Sequence, residues 1–266
     1  MEEKRKKRSK RNIKNINTKK KRICSSSCSC NTRTHDHSST TIQTLFFACN
    51  SFFKSPNSVP LPLDVNMIHF LLDNMTLEDV GLHSDQLFFM SKTTSNGTPR
   101  ITYATVYQCN NFSMCLFFLP PRAVIPLHDH PGMTVFTKIL FGSMHIKSYD
   151  WIDPIHESTH LRSAKIVMDS VFTAPSKSSI LYPNAGGNIH CFTAITPCVF
   201  LDVLGPPFLD GRDCSYYKEH PCSSSSSSSD CNEVKEDNQN CWLEEIDVPK
   251  DLFRGVEYLG PKIIDA

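Results

Sequence analysis

Apolar positions follow two different rhythms along this 266-residue chain. Between Ser39 and Asn74 they recur at helical spacing. Ile42, Leu45, Phe46, Cys49 and Phe53 lie three or four residues apart, so they share one face of a helix, and Pro56 and Pro60 then end the run. A second helix is expected over 64–74, with Ile68, Leu71 and Leu72 on one side. Both stripes are ordinary packing faces. They carry no chemistry of their own.

Beyond Pro99 the rhythm becomes that of strands, with short β-rich segments separated by turn residues. Strands are expected over 101–108, 113–118, 134–140, 143–149, 178–182, 189–194 and 198–204, with Phe141-Gly142-Ser143 as a tight link between two of them. The chain resumes order at Trp242-Leu243-Glu244-Glu245 and ends in an extended Pro261-Lys262-Ile263-Ile264. Many short strands without intervening helices predict an all-β core, closed as a sandwich or barrel whose funnel-like interior can hold a site.

Charge is unevenly placed. Residues 1–22 hold 12 of the 28 Lys and Arg but only two of the 27 acids, which leaves the rest of the chain at a formal −9. Basic clusters at 4–11 and 19–22, joined by a polar spacer, have the bipartite form of a nuclear import signal. Such runs attract phosphate without specifying a function, so no direct nucleic-acid partner is expected. Cys24, Cys28, Cys30, His35 and His37 offer zinc-type donors, but their spacing fits no zinc module and their surroundings are Ser-rich. Residues 1–38 are therefore expected to be a disordered basic tail and 39–266 a single folded domain. Within that domain 222–240, around the seven serines Ser223 to Ser229, reads as a disordered insertion.

No secretory apolar region opens the chain and no apolar run approaches the roughly 18 residues of a membrane span. The expectation is a monomer of nucleus and cytoplasm, with no membrane partner. In that reducing setting the 12 cysteines are expected to be mostly free thiols rather than a disulfide framework, and the sequons at Asn74, Asn96 and Asn111 to carry no glycan.

The informative string is Ile125-Pro126-Leu127-His128-Asp129-His130-Pro131-Gly132-Met133-Thr134, followed by Gly142. On a strand, residues two apart face one side, so His128 and His130 would present two imidazoles to one interior point. A third histidine, His190, ends the glycine-rich Gly186-Gly187-Asn188-Ile189-His190. Two such boxes about 60 residues apart in an all-β chain are the layout of a cupin, the double-stranded β-helix in which facing strands bring the third ligand to the first two. Where the usual first box places a glutamate, five residues after the second histidine, this chain has Val135. The donor set is then three neutral imidazoles without a carboxylate. A metal so held keeps its full charge and its open positions, which favours capture of a thiolate beside an amine and O₂. His145, His156, His160 and His220 are read as lying outside this set.

His128 to Val135, Gly142-Ser143-Met144-His145-Ile146-Lys147-Ser148-Tyr149-Asp150-Trp151, Gly186 to Phe192 and Ile195-Thr196-Pro197-Cys198 together resemble the plant cysteine oxidases, relatives of the animal cysteamine dioxygenase. The similarity runs from about Thr40 to the C-terminus. It implies a cupin with one non-haem Fe(2+) on His128, His130 and His190, oxidising an N-terminal cysteine of a protein to the sulfinic acid. The implied partners are O₂ and group VII ethylene response factors, transcription factors that are arginylated and degraded when oxygen is present. Thiol to sulfinate supplies the four electrons that reduce O₂, so no further reductant is needed. Asp202 matches a family aspartate that acts just beyond the metal or on the substrate's ammonium group. The alternative for Asp202 is a strand-end carboxylate bonded to backbone. Phe208 stands where the family generally has a tyrosine. Cys214 and Tyr216 fall where the animal relatives form a thioether, and no such link is expected here. Two other readings stay open: a dioxygenase of cysteamine or free cysteine, for which Arg122 is the nearest cation in sequence, and a non-catalytic cupin interaction module.

Overall fold

The computed structural model describes residues 40–55, 58–83, 100–152, 161–208, 212–220 and 240–265. The basic tail with its Cys and His cluster, Asn96, His156, His160 and the serine run lie outside them.

Both expected helices form. Helix α1 spans Thr41–Phe52, and the Thr40 hydroxyl accepts the Gln43 N–H at 3.3 Å to cap it. Helix α2 spans Pro62–Asp73, where a proline in the first turn costs no hydrogen bond. After a short 3₁₀ turn at Glu78–Val80, twelve strands follow among the described residues. They are β1 Ile101–Gln108, β2 Ser113–Leu119, β3 Val124–His128, β4 Thr134–Phe141, β5 Ser143–Trp151 and β6 Leu161–Thr173. The remainder are β7 Ser179–Leu181, β8 Ile189–Ala194, β9 Cys198–Gly205, β10 Tyr216–His220, β11 Asn240–Ile246 and β12 Phe253–Val256.

One sheet runs β12-β1-β2-β9-β4-β7, antiparallel except for the β12–β1 pair. The second runs β10-β11-β6-β5-β8-β3 and closes on itself where Tyr216 of β10 pairs with His128 of β3. This is the all-β cupin architecture, a double-stranded β-helix with two N-terminal helices. Ile139, Phe200 and Leu119 of the first sheet meet Ile125, Met144 and Phe192 of the second in a shared core. The helices cover the outer face of the first sheet through Ile42, Phe46, Ile68 and Leu72.

Strand β9 follows from this layering. Every residue in it is buried, because Val199, Leu201 and Val203 face the helices while Cys198 and Phe200 face the space between the sheets. Asp202 belongs to the inner set, and that is how a carboxylate enters the core. Gly142 joins β4 of one sheet to β5 of the other, so the expected tight link is a corner between sheets rather than a hairpin. Its φ of 84° suits glycine, and a Cβ there would run into the Pro197 carbonyl.

Candidate metal centre

His128 is the last residue of β3 and pairs directly with His190 of β8. His130 lies two residues past the end of β3, in a turn closed by the Met133 N–H on the His130 carbonyl at 3.2 Å. The strand alternation expected for the His128/His130 pair therefore does not place His130. A buried amide does. Asn188 accepts the His130 N–H at 2.9 Å and donates to the His130 carbonyl at 3.0 Å, with a further bond to the Tyr182 carbonyl at 2.8 Å. The glycine turn before it is held by Asp150, which accepts the N–H groups of Gly186 and Gly187 at 3.1 and 2.8 Å.

The three rings converge. Their ligand atoms lie within 4.8 Å of one another, and Nε2 of His130 stands 3.3 Å from Nε2 of His190. Nδ1–H of His128 donates to the Pro126 carbonyl at 2.9 Å and that of His190 to the Gly187 carbonyl at 3.4 Å. Those bonds set the tautomers of His128 and His190, so their Nε2 lone pairs face the common point, while the buried Nδ1 of His130 has no hydrogen-bond partner among the described residues. Burial lowers the basicity of all three rings. His128 is pushed down to about 4, while His130 and His190 fall well below the ordinary value, with mutual proximity adding to the effect of burial. Neutral imidazoles with converging lone pairs in an apolar interior repel one another, and a cation at their focus reverses the sign of that interaction. The residues present fit a metal ion.

They open on a cavity of about 400 Å³ whose walls include Cys115, Phe117, Phe200, Asp202, Phe208 and Tyr216. Asp202 sits mid-strand and accepts the hydroxyl of Thr137, its partner across β4–β9, at 2.6 Å. The strand-end carboxylate bonded to backbone is thus excluded. Burial pushes its pKa up to about 7, against the opposing pull of the Thr137 bond. Phe208 lines the cavity with its ring 5.5 Å from that of His130, so no tyrosine hydroxyl stands there beside that imidazole. Cys214 and Tyr216 both line the cavity, and Cys214 is a free thiol. Asp129 turns away, accepting the Ser215 N–H at 2.7 Å and the Tyr217 hydroxyl at 3.1 Å, which ties β10 to the end of β3.

Other sequence candidates lie elsewhere. His145 pairs with Asp169 and His220 with Glu244, each at 2.7 Å, on the outside of the second sheet. Arg122 does not line the cavity, and among the described residues no lysine or arginine does. Sequence reasoning gave Asn188 and Asp150 no role. The signal for Asn188 was there, since it stands two residues before His190 and so points to the same side of the approach to β8.

Among the described residues, fold and site define a cupin with one buried three-histidine centre and no carboxylate donor. The chain belongs to the PCO_ADO family, whose model matches residues 71–263. It is 46% identical over 229 residues to plant cysteine oxidase 2 of Arabidopsis thaliana, covering 84% of this chain and 83% of the relative. Plant cysteine oxidase 1 of the same plant is 45% identical, covering 85% and 81%. The 2-aminoethanethiol dioxygenase of Homo sapiens is 29% identical, covering 79% and 85%.

Two outcomes follow from this geometry. Asn188→Ala frees the His130 turn and strands buried backbone groups, so metal affinity, read by chelator competition, should fall about 10- to 100-fold, with stability lower by about 2 kcal/mol. Asp202 gives a pH signature. Its folded pKa of about 7 lies above the ordinary 3.8, so its contribution to stability is fully present below about 4 and is lost as pH rises through about 7. Metal-free protein should therefore lose stability relative to Asp202→Asn across that window, by a few kcal/mol in order of magnitude, and the difference should be flat above it. Parallel denaturation curves at every pH would contradict the assignment.

Proposed function

We propose that this protein is an Fe(2+)-dependent thiol dioxygenase that converts the N-terminal cysteine of proteins to cysteine sulfinic acid with O₂. The observation that carries the reading is a donor set of three neutral imidazoles, without a carboxylate, opening on a cavity that holds one buried aspartate. A ferrous ion, when bound, supplies thiol acidification and O₂ reduction, and the thiol's own four electrons complete that reduction. His128, His130 and His190 would hold it from one side, leaving the cavity side for substrate. Asp202, poised by burial, offers a carboxylate to the ammonium group of a chain-terminal cysteine, as an ion pair or as acceptor of its proton. The aromatic walls of Phe117, Phe192 and Phe200 keep water from the reacting sulfur.

Free cysteine fits less well, because its carboxylate calls for a cation that the cavity lining does not offer among the described residues. An N-terminal cysteine carries an amide there instead. The family's cysteine oxidases and the names of the plant relatives support this choice of substrate over a small thiol. Transcription factors that begin with cysteine, the group VII ethylene response factors among them, are the partners we infer. The protein would act on them as a monomer in nucleus and cytoplasm, with the two basic clusters of residues 1–22 as the nuclear address.

Iron-loaded protein incubated with a cysteine-initiated peptide should add about 32 Da, both oxygens coming from labelled O₂. Acetylating the peptide amine should abolish the product, and His190→Ala should lose both iron and activity. Label arriving from water, or full iron occupancy in His190→Ala, would refute the reading. Deleting residues 1–22 should reduce nuclear enrichment and leave peptide oxidation intact. Unchanged enrichment on fractionation would show that the address lies elsewhere.

A further inference from the structure

A peptide whose first residue enters the metal cavity must leave the rest of its chain somewhere. The cavity wall includes Tyr103 and Thr105 of β1, and the same two residues form one end of an open groove of about 640 Å³. That groove continues along Val106 and Tyr107 and is walled on its other side by Val256, Glu257, Tyr258, Lys262 and Ile263. It arises because β12 pairs with β1 only from Ile101 to Ala104 and then departs, while β1 runs on with an irregularity between Thr105 and Tyr107. From there to Gln108, no described strand pairs with β1 on that side.

The far wall is anchored. Gln43 of α1 grips Ile264 with two bonds, its Nε2 on the Ile264 carbonyl at 2.9 Å and its Oε1 on the Ile264 N–H at 2.8 Å. Tyr107 donates its hydroxyl to Asp265 at 2.6 Å. A groove with both walls tied to the scaffold is preorganised, so its occupant does not bear the cost of ordering a loop. Its surface is tyrosine rings and aliphatic groups with one carboxylate, Glu257, and one ammonium, Lys262. Gly255 forms part of its floor opposite Tyr103.

We propose that this groove seats the residues that follow the N-terminal cysteine, in extended conformation, with apolar or aromatic side chains preferred over a run of like charge. The inference rests on the oxidation of N-terminal cysteines proposed above. From Tyr103 to Tyr107 a strand rises roughly 13 Å, enough for about four extended residues. Peptide length beyond that should add nothing.

The test uses the iron-loaded full chain and peptides with a free N-terminal cysteine followed by neutral residues. In the wild type, KM should drop about tenfold from dipeptide to hexapeptide and then stay level to the decapeptide. Gly255 lines the groove and not the metal cavity, and a Cβ there would meet the Tyr103 ring at 3.5 Å in ordinary contact, so Gly255→Phe adds its bulk from the groove's floor. It should raise KM for the decapeptide about tenfold and leave dipeptide kcat/KM within about twofold, which also reports that the variant folds. Direct binding of a serine-initiated decapeptide, followed by anisotropy, should weaken in parallel. A wild-type KM independent of length would overturn the groove while leaving the oxidase reading intact. So would a Gly255→Phe loss shared equally by dipeptide and decapeptide, the result expected if another part of the chain occupies the groove. Failure of the wild type to oxidise any of the peptides would overturn the oxidase reading itself, and the groove with it.

Discussion

Three neutral imidazoles facing one another within 4.8 Å in a water-poor interior form an unfavourable arrangement that the rest of the molecule holds in place. The rings of His128 and His190 are held through backbone carbonyls and through their own pairing across β3 and β8. For His130 it is the backbone that is held, by the amide of Asn188, while its buried Nδ1 has no hydrogen-bond partner among the described residues. The barrel seam depends on the same residues. Tyr216 pairs with His128, and Asp129 between the two histidines fastens β10 to them. Closure of the second sheet and orientation of the ligands are thus one structural event.

The legible part of this was periodic. The seven strands read from β-rich segments between turn residues appear with ends moved by at most a few residues, and both helices appear on their apolar faces. Strand β3 carries Pro126 and enters the sequence reading only through the His128/His130 pair, which assumes a strand that in fact ends at His128. Strand β6 was missed, since most of it is exposed on one side and its polar residues blur the period. Strands β10 and β12 are short and draw their partners from distant sequence, which no local pattern encodes. His128, His130 and His190 were legible because histidine spacing within a β chain leaves few arrangements. The mechanism placing His130 was not, because it depends on a side-chain amide 58 residues away.

The missing carboxylate ligand and the buried aspartate belong together. A glutamate donor would lower the net charge at the metal, and Val135 instead packs with Met133, Leu181 and Leu204 in a small apolar cluster. The carboxylate of this site stands off the donor set, on Asp202, where its partner is a hydroxyl rather than a cation. That separation divides the work between two charges. On the function proposed above, a cation held by the three imidazoles would attract the thiolate, and Asp202 would attract the ammonium group three bonds from that sulfur in the same residue.

On the proposed function, this division would favour a chain terminus over a free amino acid. An internal cysteine has no ammonium group for Asp202, and free cysteine adds a carboxylate that would lie unpaired near Asp202 in a cavity without lysine or arginine among the described residues. An N-terminal cysteine meets both requirements, because its carbonyl is an amide and its charge is that of the ammonium alone. That selectivity would reside in two features of the wall: the carboxylate that β9 brings inward and, among the described residues, a cavity lining without lysine or arginine. Phe208 closes the same wall, its ring 5.5 Å from that of His130, and presents no hydroxyl there to the imidazoles or to Asp202.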